Sequence, residues 1–116
     1  MVKKKLDVPI YRRKIQAYIG YSYDELQSAI KKEFGITVDG IEKDTHRGAV
    51  YTLENKTRGI KCLVFWCEFP KDIESFSHEV FHLTATILQD AGVTLTEESE
   101  EAWAYLYGYL YSKLAI

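Results

Sequence analysis

The spacing of apolar and polar positions changes along the chain, and each change marks an element. Val8 to Ile19 mixes β-formers with charge (Tyr11, Ile15, Tyr18, Ile19) and reads as a strand with an irregular start after Pro9, ended by Gly20. Ser22 followed by Glu25 is a capping box. It opens a helix with Leu26, Ile30 and Phe34 near one face, and Gly35 is a suitable stop. Ile36–Val38 reads as a short strand, and the polar stretch from Asp39-Gly40 to Arg47-Gly48 as a loop. Ala49–Leu53 and Ile60–Phe69 read as strands joined by a turn over Glu54–Gly59, the second being rich in β-branched and aromatic residues. Pro70 stops it, and Asp72 can cap the next element. From Ile73 to Ala91 the period becomes helical: Ile73, Phe76, Val80, Leu83 and Ile87 fall in one narrow arc at about 100° per residue. Gly92 ends this helix. Thr96 can cap a last one, whose first turns carry Glu97, Glu98, Glu100 and Glu101, where acids favour the helix dipole. Tyr105-Leu106-Tyr107-Gly108-Tyr109-Leu110-Tyr111 alternates like a strand. The acidic start, Ala102, Ala104 and the length favour a helix.

Composition narrows the class without changing this picture. The chain has 116 residues, 47% hydrophobic and 28% charged, with a formal net charge of −2. That is one domain of ordinary size. The near-zero, slightly acidic balance argues against a nucleic-acid partner, which needs a basic face. Lys3-Lys4-Lys5 reads as a solvated, frayed terminus. The apolar stretch of a targeting segment is interrupted by Asp7, Pro9, Arg12, Arg13 and Lys14, and no run approaches the roughly 18 residues of a membrane span. A cytoplasmic protein is expected. Cys62 and Cys67 would point to opposite faces of their strand, so two reduced thiols are expected rather than a bridge.

One motif carries chemistry. His78-Glu79-Val80-Phe81-His82 fits H-E-x-x-H. Histidines at i and i+4 lie one above the other on a helix, so both rings reach one ion, and zinc takes imidazole nitrogens at about 2.0–2.1 Å. Glu79 can hold a metal-bound water and take its proton. Val80 belongs to the core stripe, so His78 and His82 project away from it, toward a cleft expected between this helix and the last one. A catalytic zinc needs a third protein ligand. Glu101, nineteen residues after His82, shares its helix face with Ala104, Tyr105 and Gly108, and the two small residues would let the helices approach closely. Glu101 is the favoured third ligand, with Glu97 or Glu98 as alternatives. His46 reads as a surface-loop histidine, with ligation as its other reading.

The motif, followed by Glu100-Glu101-Ala102-Trp103-Ala104-Tyr105-Leu106, resembles the zincin metallopeptidases, and within them the gluzincin arrangement. More closely it is similar to small phage- and prophage-encoded HExxH proteins. The resemblance covers Ile60 to Ile116. It implies a minimal zincin-like α+β fold, with a small mixed or antiparallel sheet packed against the HExxH helix and a C-terminal helix. It implies Zn2+ as cofactor, His78, His82 and Glu101 as ligands, and Glu79 as general base and acid. It also implies that the strand Ile60–Phe69 borders the cleft and can pair with an extended substrate. Tyr105 stands where such families commonly carry an acid. It could orient a ligand histidine or donate to an oxyanion, or it packs in the core.

Trp103, Tyr107, Leu110, Tyr111 and Leu114 form the face away from Glu101, which reads as core packing, with a homo-oligomer surface as the alternative. The expected activity is zinc-dependent hydrolysis of peptide bonds in a peptide or protein substrate, with no nucleic acid and no membrane involved. The other reading is a non-catalytic zinc-binding or interaction module, encoded by a phage or mobile element, on a metallopeptidase scaffold.

Overall fold

A computed structural model describes residues 1–43, 45–55 and 59–115. The order of elements is β1 (Val2–Val8), β2 (Arg13–Ile19), α1 (Tyr23–Phe34), β3 (Gly48–Asn55), β4 (Ile60–Cys67), α2 (Ile73–Asp90) and α3 (Glu100–Leu114). The strands form one mixed sheet in the order β1-β2-β4-β3. β1 and β2 pair antiparallel, β2 and β4 parallel, and β3 and β4 antiparallel. The expected α+β class is the observed one.

The N-terminus is a strand, not a frayed tail. Val2, Lys4, Leu6 and Val8 turn inward by the two-residue period of a strand, while Lys3, Lys5 and Asp7 face out. The lysines hold this edge in place: Lys3 and Lys5 both pair with Glu33, and Lys4 donates to the carbonyl of Lys113 at 2.9 Å. The strand expected over Val8–Ile19 begins only at Arg13, and Val8 instead ends β1. Pro9 has no N–H to give to a ladder. The chain reverses at Pro9–Arg12, with positive φ at Ile10 (70°) and Arg12 (52°), and β2 starts at Arg13.

Alternation along β4 splits the interior into two clusters. Leu63, Phe65 and Cys67 point to one face, where they meet Phe76, Val80, Leu83 and Ile87 of α2 and Leu106, Leu110 and Leu114 of α3. Val64 and Trp66 point to the other, where they meet Leu26 and Ile30 of α1. The Ser22/Glu25 capping box and the left-handed Gly35 cap of α1 are both present. Ile36–Val38 is not a strand; Gln27 ties Val38 down through both its amide and its carbonyl. Asp72 occupies the N-cap position of α2, but its carboxylate takes the Ser75 hydroxyl instead of a backbone amide. Thr96 does not cap α3: it exchanges backbone-to-hydroxyl bonds with Ser99 in a turn ahead of the helix, which begins at Glu100 with Ser99 as its N-cap and no side-chain cap bond. The central residues of the turn expected at Glu54–Gly59 lie outside the described residues, but Asn55 pairs with Ile60 across it. Cys62 and Cys67 are free thiols on opposite faces.

The width of the sheet decides where the helices go. Four strands about 4.8 Å apart leave room for two helices at roughly 8–10 Å spacing on one face. α2 lies over β3 and β4. The bare remainder is the β1–β2 half, where α3 shares one core cluster with Val2, Leu6 and Val8 and Lys4 of β1 reaches the carbonyl of Lys113 near the end of α3. No described helix is long and apolar enough to cross a membrane.

Candidate metal centre

The flank of α2 that α3 leaves open carries the H-E-x-x-H motif. His78 and His82 are exposed, one turn apart, with their Nε2 atoms 3.0 Å apart and ring planes at 78°. An ion with nitrogen bonds of about 2.0–2.1 Å in a tetrahedral shell needs that gap to open by only a few tenths of an ångström. Glu79 lies between them and turns toward the sheet, only 9% exposed. One ligand atom from each of His78, Glu79 and His82 falls within 4.8 Å of the others, the only such group of three among the described residues. Two imidazoles and a carboxylate form a donor set that suits zinc and other first-row divalent ions. The donors alone do not select one.

These residues line a cleft of about 670 Å³ whose other wall is the loop Thr45-His46-Arg47 and the start of β3, Gly48 to Val50. The cleft thus lies between α2 and the sheet edge, not between α2 and α3. The strand bordering it is β3 rather than Ile60–Phe69, because β4 has β2 on one side and β3 on the other. Among the described residues β3 is the outer strand, with one edge unpaired in the sheet.

Burial pushes the Glu79 carboxyl above its ordinary range, while His78, His82 and His46 pull it back. A base buried to this degree holds a proton more readily than a surface glutamate. His46 therefore belongs to the cleft. Its Nδ1 lies 3.0 Å from the Glu42 amide N–H and 3.2 Å from the Thr45 hydroxyl. Arg47 beside it pairs with Glu68 at 3.6 Å and donates to the carbonyl of Lys43 at 3.0 Å. From sequence His46 reads as a surface residue. The signal pointing the other way is its place two residues before the edge strand that faces α2. Asp44, quoted with it in the sequence, lies outside the described residues.

The structure does not bring Glu101 to this group. α3 meets α2 through Phe76, Ser77 and Phe81, which contact Tyr111, Tyr107 and Trp103. Trp103, Leu106, Leu110 and Leu114 are buried, so the face carrying Glu101, Ala104, Tyr105 and Gly108 turns outward. Nothing approaches within 4 Å of a Cβ placed on Gly108, so the small residues do not serve a close helix contact. Tyr105 is 77% exposed, neither in the core nor in the cleft. Glu97 and Glu98 sit in the turn ahead of α3 and join no ligand group among the described residues. No protein-family model, no curated protein and no solved structure matches the chain.

Proposed function

We propose that this protein is a zinc-dependent hydrolase of peptide bonds, with His78 and His82 as metal ligands and Glu79 as the group that moves the proton. The observation that carries this reading is the convergence of those three side chains on the wall of a cleft of about 670 Å³. A bound zinc ion would supply a Lewis acid that brings the pKa of water toward about 7. Glu79 takes the proton of the attacking water and later delivers it to the leaving amine, a task its partial burial favours. The unpaired edge of β3 can take an extended peptide as one more strand, which would lay a main-chain carbonyl across the cleft. His46 lines the same space.

The test is metal content together with hydrolysis of a peptide library. We expect near-stoichiometric zinc and cleavage that falls at least about 10²-fold in Glu79→Gln, which keeps shape but cannot accept a proton. A stoichiometric zinc protein that cleaves nothing would instead support the second reading, a non-catalytic zinc module. That reading draws on the two-histidine, one-glutamate set, which contains no further protein ligand among the described residues.

A further inference from the structure

We propose that Gly48 is a positioning residue of this centre: by lacking a Cβ it opens the seat that holds the Glu79 carboxylate back from a metal on His78 and His82. The inference rests on the metal reading of the site. A Cβ built on Gly48 would lie 2.7 Å from Glu79 Cγ, 2.8 Å from Oε2 and 3.0 Å from Cδ. Carbon atoms in ordinary contact sit about 3.5–4.0 Å apart, so glutamate and side chain cannot share this space. Backbone conformation does not require the glycine, since Gly48 is not among the residues with positive φ. What it supplies is room.

Neither wall can retreat to make that room another way. Gly48 is the first ladder residue of β3, paired with Cys67, and the Glu68 amide donates to the carbonyl of Arg47 just before it at 2.8 Å. On the other side α2 is anchored by Phe76, Val80 and Leu83, all buried in the same cluster as Cys67. A Cβ at position 48 must therefore move the Glu79 side chain, and the open direction is the cleft that holds the histidines. The carboxylate's ligand atom already lies within 4.8 Å of those of both histidines, whereas a zinc–carboxylate bond is about 2.0–2.2 Å. Displaced from its seat, Glu79 becomes a third metal ligand and ceases to be a free base. Gly48 thus decides which of two roles the same carboxylate takes.

The full-length protein is tested as Gly48→Ala, Glu79→Ala and the double variant. The measurements are zinc affinity by competition with a chelator, the visible spectrum with Co2+ in place of zinc, and melting of the metal-free protein. In Gly48→Ala we expect zinc bound at least as tightly as in the native chain and a changed Co2+ spectrum. Peptide hydrolysis should lose at least tenfold in kcat with KM within twofold. In the Glu79→Ala background the Gly48→Ala change should leave the spectrum unmoved, because the group it displaces is gone. An unchanged spectrum in folded Gly48→Ala, or a spectral change that persists without Glu79, overturns the proposal. If Gly48→Ala does not fold, a folded double variant with the Glu79→Ala spectrum supports the clash, and an unfolded double variant overturns it. A native chain that binds neither metal defeats the parent reading instead. A native chain that binds both, with Gly48→Ala spectrally silent, defeats this inference alone.

Discussion

Helices α2 and α3 both carry ionisable residues at helical spacing, yet only α2 turns them toward one another. His78, Glu79 and His82 sit on one helix, so their mutual distances are set by 3.6 residues per turn and survive any choice of packing. Glu101 and Tyr105 share a face of α3 just as regularly, but whether that face meets α2 depends on which side of α3 is buried. Trp103, Leu106, Leu110 and Leu114 bury the opposite side, and the glutamate is left outside. Geometry within an element is secure; geometry between elements waits on the core.

The largest expected contrast is in metal binding. His78→Ala or His82→Ala should lower zinc affinity by more than the roughly 10–100-fold that losing an outer partner costs. Glu101→Ala should leave it unchanged within about twofold. Equilibrium dialysis of the variants measures both. A Glu101→Ala protein that loses zinc as His78→Ala does would bring α3 into the centre and end the comparison.

The two faces of α3 give the next contrast, in stability. Leu110 is fully buried, and Leu110→Ala should cost about 2–5 kcal/mol by losing packed surface and leaving a cavity. Tyr105, 77% exposed, should cost no more than about 0.5 kcal/mol on replacement by Ala. Urea titration of both reads the difference. A large loss at Tyr105 would mean that its face is covered in solution, as a homo-oligomer through this helix would cover it.

Local chemistry made most of the elements legible. The Ser22/Glu25 box, the Gly35 stop and the apolar arc of α2 from Phe76 to Ile87 each act within one or two turns and appear where expected, whereas Ile73, expected to open that arc, is exposed. β1 was hidden by its charge. Three lysines in a row obscure an alternation in which Val2, Leu6 and Val8 face inward, and an edge strand can carry lysines outward on that period. β1 also bears on the site. With it, α3 is drawn over β1 and β2, and the open flank of α2 faces β3. The edge strand, His46 and Gly48 are brought to the motif by strand order, which no short-range pattern encodes.

The smallest effect expected concerns Glu79 itself, and it separates the buried acid of α2 from the exposed acids of α3. Burial is the main cause of its raised pKa, against the pull of His78, His82 and His46. A carboxyl whose folded pKa exceeds its unfolded value binds more protons in the folded state. Stability from this group is then fully present below the unfolded value and is lost as pH rises through the folded one. In metal-free protein, Glu79→Gln should therefore melt a few degrees above the native chain near neutral pH. The gap should close as the pH falls below the ordinary carboxylate range. Zinc should narrow the gap from the other side, because a nearby cation favours the ionised carboxylate. Glu101→Gln, on the exposed face, should show no such pH-dependent gap. Calorimetry across this pH range, with chelator and then with zinc, is the measurement. A gap that is absent with chelator, or that widens with zinc, would mean that Glu79 is not held in the seat beside Gly48.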